Sequence, residues 1–347
     1  MKKVTTSFLE FRGSHAQFGF EQGKRLKDSA LEKNYQRVNQ PRKRPRYVVD
    51  ANKAEKTIKA YMPHLWEELE GLSEGLKLSL EETVRNYSGY QQEWHPSGCS
   101  ILTGRDYLVR NYDYHPKTYE GRFVLFQPQH GYATIGPSQR ITGRSDGMNE
   151  HGLIIGYNFV HRRKPGDGFI CNAITRMVLE TCKNSEEAAD MLKRVPHRHS
   201  FNYVVFDRFG KAKVVEATPR GVVVKDEPLS TNHFDILQEE NRYHLDDSRR
   251  RKKLLVEEKG RLTSPYEAFR LFNDKAKGIF SEKYTQWAGT LHTSAYLPKE
   301  LAVWFAVGSD REPFILSFKD WLQGKDTKIK QLIGYLNTDE ELPFMES

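Results

Sequence analysis

HPSGCSILTGRDYLVRNYDYHP, residues 95–116, is where the texture of the chain changes. Gly98-Cys99-Ser100 opens an apolar run, and Gly104-Arg105-Asp106 supplies a turn. A second run then returns to Arg110-Asn111-Tyr112-Asp113. Short β-forming runs on either side of a Gly/Asp turn predict a hairpin. With the turn near its middle, Cys99 and Asp113 fall towards the same open end. A thiol and a carboxylate can then meet at one edge of a sheet.

Upstream of this stretch the periodicity is helical. After a first strand, VTTSFLEFRG, the segment SHAQFGFEQGKRLKDSALEKN carries spaced apolar residues and good helix formers. A second helical block is expected from about Ala54 to Gly75, with Tyr61, Leu65, Trp66, Leu69 and Leu72 at helical spacings. Ser79 is an N-cap for a third helix, LEETVRNYSGYQQ. Downstream, SILTG, YLVRNYD, RFVLFQPQ, ATIG and GLIIGYNFV read as strands. CNAITRMVLETC and SEEAADMLKRV read as a helical pair, and NYVVFDRFGKAKVVEATPRGVVVKD as a meander. Late strands lie in TSAYLPKELAVWFAVG and FILSF, before a polar tail. Antiparallel-looking strands with helices grouped between them predict an α+β layered fold.

Composition narrows the function classes. Apolar residues make up 37% of the 347, enough for a substantial core, and 29% are charged, which suits a soluble surface. No stretch approaches the roughly 20 apolar residues that span a bilayer. The N-terminus lacks the apolar core of a signal peptide, so a cytoplasmic protein with no membrane partner is expected. The net charge of +8 is carried by short runs: Arg42-Lys43-Arg44-Pro45-Arg46, His161-Arg162-Arg163-Lys164 and Arg249-Arg250-Arg251-Lys252-Lys253. No zinc-finger spacing or RNP-like strand accompanies them, which argues against nucleic acid as a partner. They fit a solvated basic surface with a preference for anionic small molecules. A homo-oligomer is compatible with this composition.

Three cysteines, Cys99, Cys171 and Cys182, are too few and too scattered for a disulfide framework or a zinc pair, and no metal or other cofactor is expected. Cys171 and Cys182 belong to a helical pattern and read as small buried hydrophobes. Cys99, with glycine before it and Asp113 fourteen residues later, is the candidate nucleophile.

Six stretches in order resemble the acyl-coenzyme A:isopenicillin N (6-aminopenicillanic acid) acyltransferase group of Ntn hydrolases, and the related choloylglycine hydrolases and penicillin V acylases. GSHAQFGFEQGKRL and PHLWEELEGLSEGL are similar to the acyltransferase group's first helices, and GCS with RNYDYH to its nucleophile hairpin. SDGMNEHGLIIGYNF resembles the G-M-N-E-x-G-L stretch of the bile-salt enzymes. STNHF and DSRRRKKLL resemble their later asparagine motif and Ser-Arg helix start. The resemblance implies a single four-layer αββα domain, two antiparallel sheets between helical layers, over residues 1–347. It also implies self-cleavage between Gly98 and Cys99, giving a helical segment 1–98 and a catalytic segment 99–347.

Roles follow from that resemblance, residue by residue. The new α-amino group of Cys99 acts as base for its own thiol. An α-amine titrates near 7.7–8.0 and a thiol near about 8.5, so no histidine is required. Asp113 orients the ammonium. Asn232, and the backbone or side chain of Asn158, donate to the oxyanion. An arginine from Arg249–Arg251, Arg249 first, balances charge. The implied substrate is a small linear N-acyl amide, cleaved through an acyl-enzyme on Cys99 that water or an amine intercepts. Without the resemblance, Asp113 and Asn232 read as turn residues, and the arginines as a solvated helix start. Asn158, inside an apolar strand, needs a partner or a task.

Two rivals stand beside this reading. A papain-like mechanism would use His95, His115 or His233 as base, but no papain-type sequence surrounds Cys99. A non-catalytic binding relative would keep the fold with the Gly98–Cys99 bond intact.

Overall fold

The computed structural model describes residues 1–38, 50–94, 97–160 and 164–345. The basic run Arg42–Arg46, His95 and His161-Arg162-Arg163 lie outside the described residues. The N-terminal part holds β1 (Lys2–Gly13), α1 (His15–Leu26), α2 (Ala30–Val38), α3 (Ala51–Tyr61), α4 (Pro63–Leu76) and α5 (Leu80–Tyr87). Capping explains several of these starts. Ser14 and Ser79 each form a capping box with the residue three positions on, and Asp50 caps α3.

The block expected over 54–75 is two helices, because Pro63 sits at the first position of α4 and cannot continue α3. SHAQFGFEQGKRLKDSALEKN also divides, at Lys27–Ser29, and α5 stops at Tyr87, short of Gln92. Helices α1 and α4 pack at backbone contact. A Cβ on Gly19 would strike the Glu68 carbonyl, and one on Gly71 the Ala16 carbonyl. Both positions therefore require glycine.

The hairpin that carries Cys99 and Asp113 is β2 (Gly98–Thr103) and β3 (Leu108–Tyr114). It is followed by β4 (Arg122–Pro128), β5 (Thr134–Gln139), β6 (Gly143–Arg144), β7 (Asp146–Asn149) and β8 (Ile154–Phe159). Helices α6 (Cys171–Thr181) and α7 (Ser185–Arg194) precede the meander β9 (Phe201–Phe206), β10 (Ala212–Thr218) and β11 (Gly221–Lys225). Then come β12 (Leu229–Ser230), α8 (Asp246–Glu258), α9 (Pro265–Asn273) and β13 (Glu282–Lys283). The chain closes with β14 (Ala288–Leu297), β15 (Ala302–Val307), β16 (Phe314–Ser317), α10 (Phe318–Leu322) and β17 (Gln331–Leu336).

Two sheets result. One runs β11-β10-β9-β8-β7-β5-β4-β1-β17, with β6 beside β5; the other runs β12-β2-β3-β14-β15-β16, with β13 beside β14. All neighbours are antiparallel except β1 and β4, which are parallel. The tail expected to be only polar contributes β17, which pairs with β1. The sheets face each other where β2 lies over β8. Helices α6 and α7 cover the outside of the first sheet, and α8 and α9 the outside of the second. The fold is α+β in four layers, αββα. Phe123 and Phe305 meet between the sheets with ring centroids 5.0 Å apart. Leu69, Ile101, Ile155 and Val204 are fully buried in the same core. Each such side chain contributes about 1.5–3 kcal/mol.

Candidate active site

The hairpin register pairs Gly98 with Asp113, Cys99 with Tyr112, Ser100 with Asn111 and Ile101 with Arg110. Side chains alternate along a strand, so this register sorts the chemistry onto two faces. Cys99 and Arg110 point between the sheets, where Arg110 reaches Asp146 on β7. Ser100, Asn111 and Asp113 point towards the outer helices, where Asn111 Nδ2 donates to the Phe272 carbonyl on α9 and Ser100 accepts from Arg251 on α8. The thiol and the Asp113 carboxylate share an end of the hairpin but not a face. The carboxylate lies beside the Gly98–Cys99 peptide: a Cβ added to Gly98 would sit 3.3 Å from Asp113 Oδ2.

Both backbone groups of Cys99 are held by side chains. Its N–H donates to Asn232 Oδ1 at 2.8 Å, and its carbonyl accepts from Arg251 Nη1 at 2.6 Å. Arg251 Nη2 also donates to Asn232 Oδ1 at 2.8 Å, while Asp247 Oδ2 accepts from Arg251 Nε at 2.8 Å. Asn232 Nδ2 donates to the carbonyls of Phe159, at 2.9 Å, and Ser97, at 3.3 Å. Two donors on one end of the amide and two carbonyls on the other fix its orientation.

The thiol side is governed by Arg110. Its Nη2 lies 3.5 Å from Cys99 Sγ and 3.0 Å from the Tyr157 carbonyl, and its Nη1 bonds Asp146 Oδ1 at 2.7 Å. Burial pushes the Cys99 thiol above its ordinary value, and the Arg110 guanidinium opposes that shift. Burial would raise Asp146, but Arg110, His292 and Tyr296 together outweigh it and hold the carboxyl well below the usual range. Arg110 stays charged because Asp146 and Cys99 override the cost of burying it. Asp113 is pushed up to about 6, chiefly by burial; Arg251 and a 2.7 Å bond from Thr290 Oγ1 oppose that, and Asp247 adds to it.

Asn158 lies on β8, fully buried, and its amide atoms have no hydrogen-bond partner among the described residues. It faces the second sheet: Gly156, two residues earlier on the same face, would place a Cβ 3.1 Å from Ile101 Cδ1 and 3.2 Å from Arg110 Cδ. Across the sheet Asn158 pairs with Asn202. Asn202 Nδ2 donates to the carbonyls of Thr231 and His233, which fixes the turn carrying Asn232.

Of the three adjacent arginines, Arg251 reaches Cys99 and Arg249 does not. Ser248, Arg251 and Leu255 form the buried stripe of α8, while Arg249 and Arg250 are exposed. His233 bonds Ser248 Oγ at 2.8 Å, and its pKa falls to about 4 through burial and the nearby Lys252. His115 accepts from the Lys117 backbone and faces Glu340. Neither is bonded to Cys99.

Sequence reasoning passed over Arg110, Asp146 and Asn202. The signal for Arg110 was a cation inside an apolar strand, three residues before Asp113. The signal for Asn202 was an amide in the apolar run FNYVVF.

A family model described as acyl-coenzyme A:6-aminopenicillanic acid acyl-transferase matches residues 102–312. The span includes Arg110, Asp113, Asn158, Asn232 and Arg251, and begins three residues after Cys99. Among solved structures, a mutant conjugated bile acid hydrolase from Clostridium perfringens is similar at 14% identity, covering 69% of this chain and 97% of that one, with a TM-score of 0.45. Penicillin V acylase from Agrobacterium tumefaciens is similar at 14% identity over 64% of this chain and 86% of its own, with a TM-score of 0.42. The Caenorhabditis elegans ortholog of N-acylethanolamine-hydrolyzing acid amidase is similar at 14% identity over 58% and 93%, with a TM-score of 0.40. No curated protein sequence matches the chain.

Proposed function

The chain belongs to the acyl-coenzyme A:6-aminopenicillanic acid acyl-transferase family, and on that premise we propose that it is a self-processed cysteine enzyme hydrolysing linear N-acyl amides. The observation that carries this reading is the double clasp on Cys99, its N–H on Asn232 and its carbonyl on Arg251. A structural cysteine in a strand needs no side-chain grip on both backbone groups.

Processing begins with Sγ attacking the Gly98 carbonyl carbon. The carbon–nitrogen bond to Cys99 breaks, its nitrogen takes the thiol proton, and water hydrolyses the resulting thioester. The product carries Cys99 as its N-terminus. Asp113, beside that nitrogen, accepts from the ammonium, and Asn232 Oδ1 remains its second acceptor.

Cleavage frees the Gly98 end of the chain, which takes Ser97 away from Asn232. Asn232 Nδ2 is then free to donate to the oxyanion of a substrate. Asn158, whose buried amide faces the second sheet, supplies a second donor. Arg110 stabilises the thiolate, and Arg251 positions Cys99 and Asn232.

In turnover the α-amine takes the thiol proton, Sγ bonds the acyl carbon, and the proton passes to the departing amine. Water completes hydrolysis by the same route in reverse. The family's description favours a second outcome, transfer of the acyl group to an amine. Hydrolysis is preferred because water is always present, whereas transfer needs an acceptor site.

Two guanidiniums at Cys99 and a third, Arg242, at the Ser97 carbonyl support an anionic substrate. The test is a screen of N-acyl amino acids, penicillins and conjugated bile acids on cleaved protein. Free acid should be released by wild type and not by Cys99→Ala. Release by both would end the proposal. Added amine acceptors diverting the product to new amides would favour transfer.

A further inference from the structure

Away from Cys99, three imidazoles stack beside the starts of α1 and α4. His15, the first residue of α1, is buried with its ring 5.2 Å from that of His64, which in turn lies 5.2 Å from His130. Glu67, three residues after His64 on α4, has Oε1 3.1 Å from His64 Nδ1. One donor atom from each of His15, His64 and Glu67 falls within 4.8 Å of the others.

We propose that His15, His64 and Glu67 bind a divalent transition-metal ion of the zinc type, at a site independent of Cys99. The donor set selects the metal class. Two imidazoles and one carboxylate suit zinc, nickel or copper, whereas magnesium and calcium prefer all-oxygen shells.

The surroundings match what such a site needs behind its ligands. His15 Nε2 faces Glu180 Oε2 at 2.9 Å, which leaves Nδ1 the free lone pair when the proton sits on Nε2. A carboxylate behind a histidine fixes its tautomer and raises its basicity towards a metal. Glu180 is itself fixed by Arg176 Nε at 2.7 Å, and Arg176 also bonds Glu68 and the Thr142 carbonyl. The inner ligand is therefore rigid and buried, while His64 and Glu67 are half-exposed and free to adjust.

Tetrahedral donors at about 2.0–2.1 Å from zinc stand about 3.4 Å apart. His64 Nδ1 and Glu67 Oε1 already stand near that spacing, and the widest separation in the set, at most 4.8 Å, must close by no more than about 1.4 Å, which side-chain rotation supplies. His130, on the exposed turn between β4 and β5, is near enough to His64 to offer a fourth ligand. No cysteine or histidine pair in the sequence announces this site, because its ligands come from two helices 49 residues apart.

The experiment is calorimetric titration of the full-length, chelator-stripped Cys99→Ala protein with zinc chloride; the substitution removes the candidate active-site thiol and keeps the chain whole. One ion per chain should bind and raise Tm, and calcium chloride should do neither. His64→Ala and Glu67→Gln should each weaken zinc binding by about tenfold or more while leaving the metal-free Tm unchanged. Absence of one-to-one binding, calcium binding as tight as zinc, or variants that bind like the parent would each overturn the proposal.

Discussion

Asn232 Oδ1 accepts a hydrogen bond from the Cys99 backbone N–H at 2.8 Å, across 133 residues of chain. The proposed mechanism turns that amide nitrogen into an amine and gives the other end of Asn232 to the substrate. Asn232→Ala should lower kcat by about two to three orders of magnitude with little change in KM. Processing passes through a tetrahedral intermediate too, so rates must be normalised to the cleaved fraction. An unchanged kcat would reduce Asn232 to a turn former.

Arg110 and Asp146 are both fully buried and bonded at 2.7 Å. Removing one charge strands the other. Arg110→Met should cost about 3–5 kcal/mol in urea unfolding. Arg110→Met with Asp146→Leu should recover part of that loss. A single variant as stable as wild type would mean that the pair does not hold the sheets in register at Cys99.

Burial pushes the Asp113 carboxyl up to about 6. In the cleaved enzyme the Cys99 α-amine, near 7.7–8.0, must be unprotonated to take the thiol proton, so it sets the acid limb of kcat/KM. An ionised Asp113 favours the ammonium, so Asp113→Asn should move that limb to lower pH. Stability depends on Asp113 itself. Folding favours the protonated acid, so its contribution is complete below about pH 4 and lost as pH rises through about 6. Asp113→Asn should gain stability relative to wild type between pH 5 and about 7. Superimposable pH–rate curves would remove Asp113 from control of the amine.

Substrate charge is open to the same kind of measurement. A carboxylate-bearing amide should be preferred to its methyl ester by very roughly ten- to a hundredfold in kcat/KM, the worth of one charge-assisted hydrogen bond. Equal values would dissociate the basic site from substrate choice.

Much of this arrangement is legible in the sequence. Glycine before Cys99, a turn at Gly104–Asp106 and Asp113 beyond it are enough for the hairpin, because hairpin signals are local. Arg251 is legible in principle: of three adjacent arginines, it shares the helical face of Ser248 and Leu255. Arg249 is out of phase with that face. Pro63 likewise marks the end of α3, because proline cannot continue a helix.

Other features have no local signature. The parallel β1–β4 pair joins residues more than a hundred positions apart, and β17 becomes a strand only by meeting β1. That thiol and carboxylate take opposite faces depends on a one-residue register, which apolar patterning in a fully buried hairpin leaves undetermined.

The central claim, that Cys99 becomes an N-terminus, is tested most directly by intact mass. Wild type should give fragments of 98 and 249 residues (347 − 98), the larger beginning at Cys99, and Cys99→Ala should remain whole. Fully active wild type of undivided mass would contradict the account.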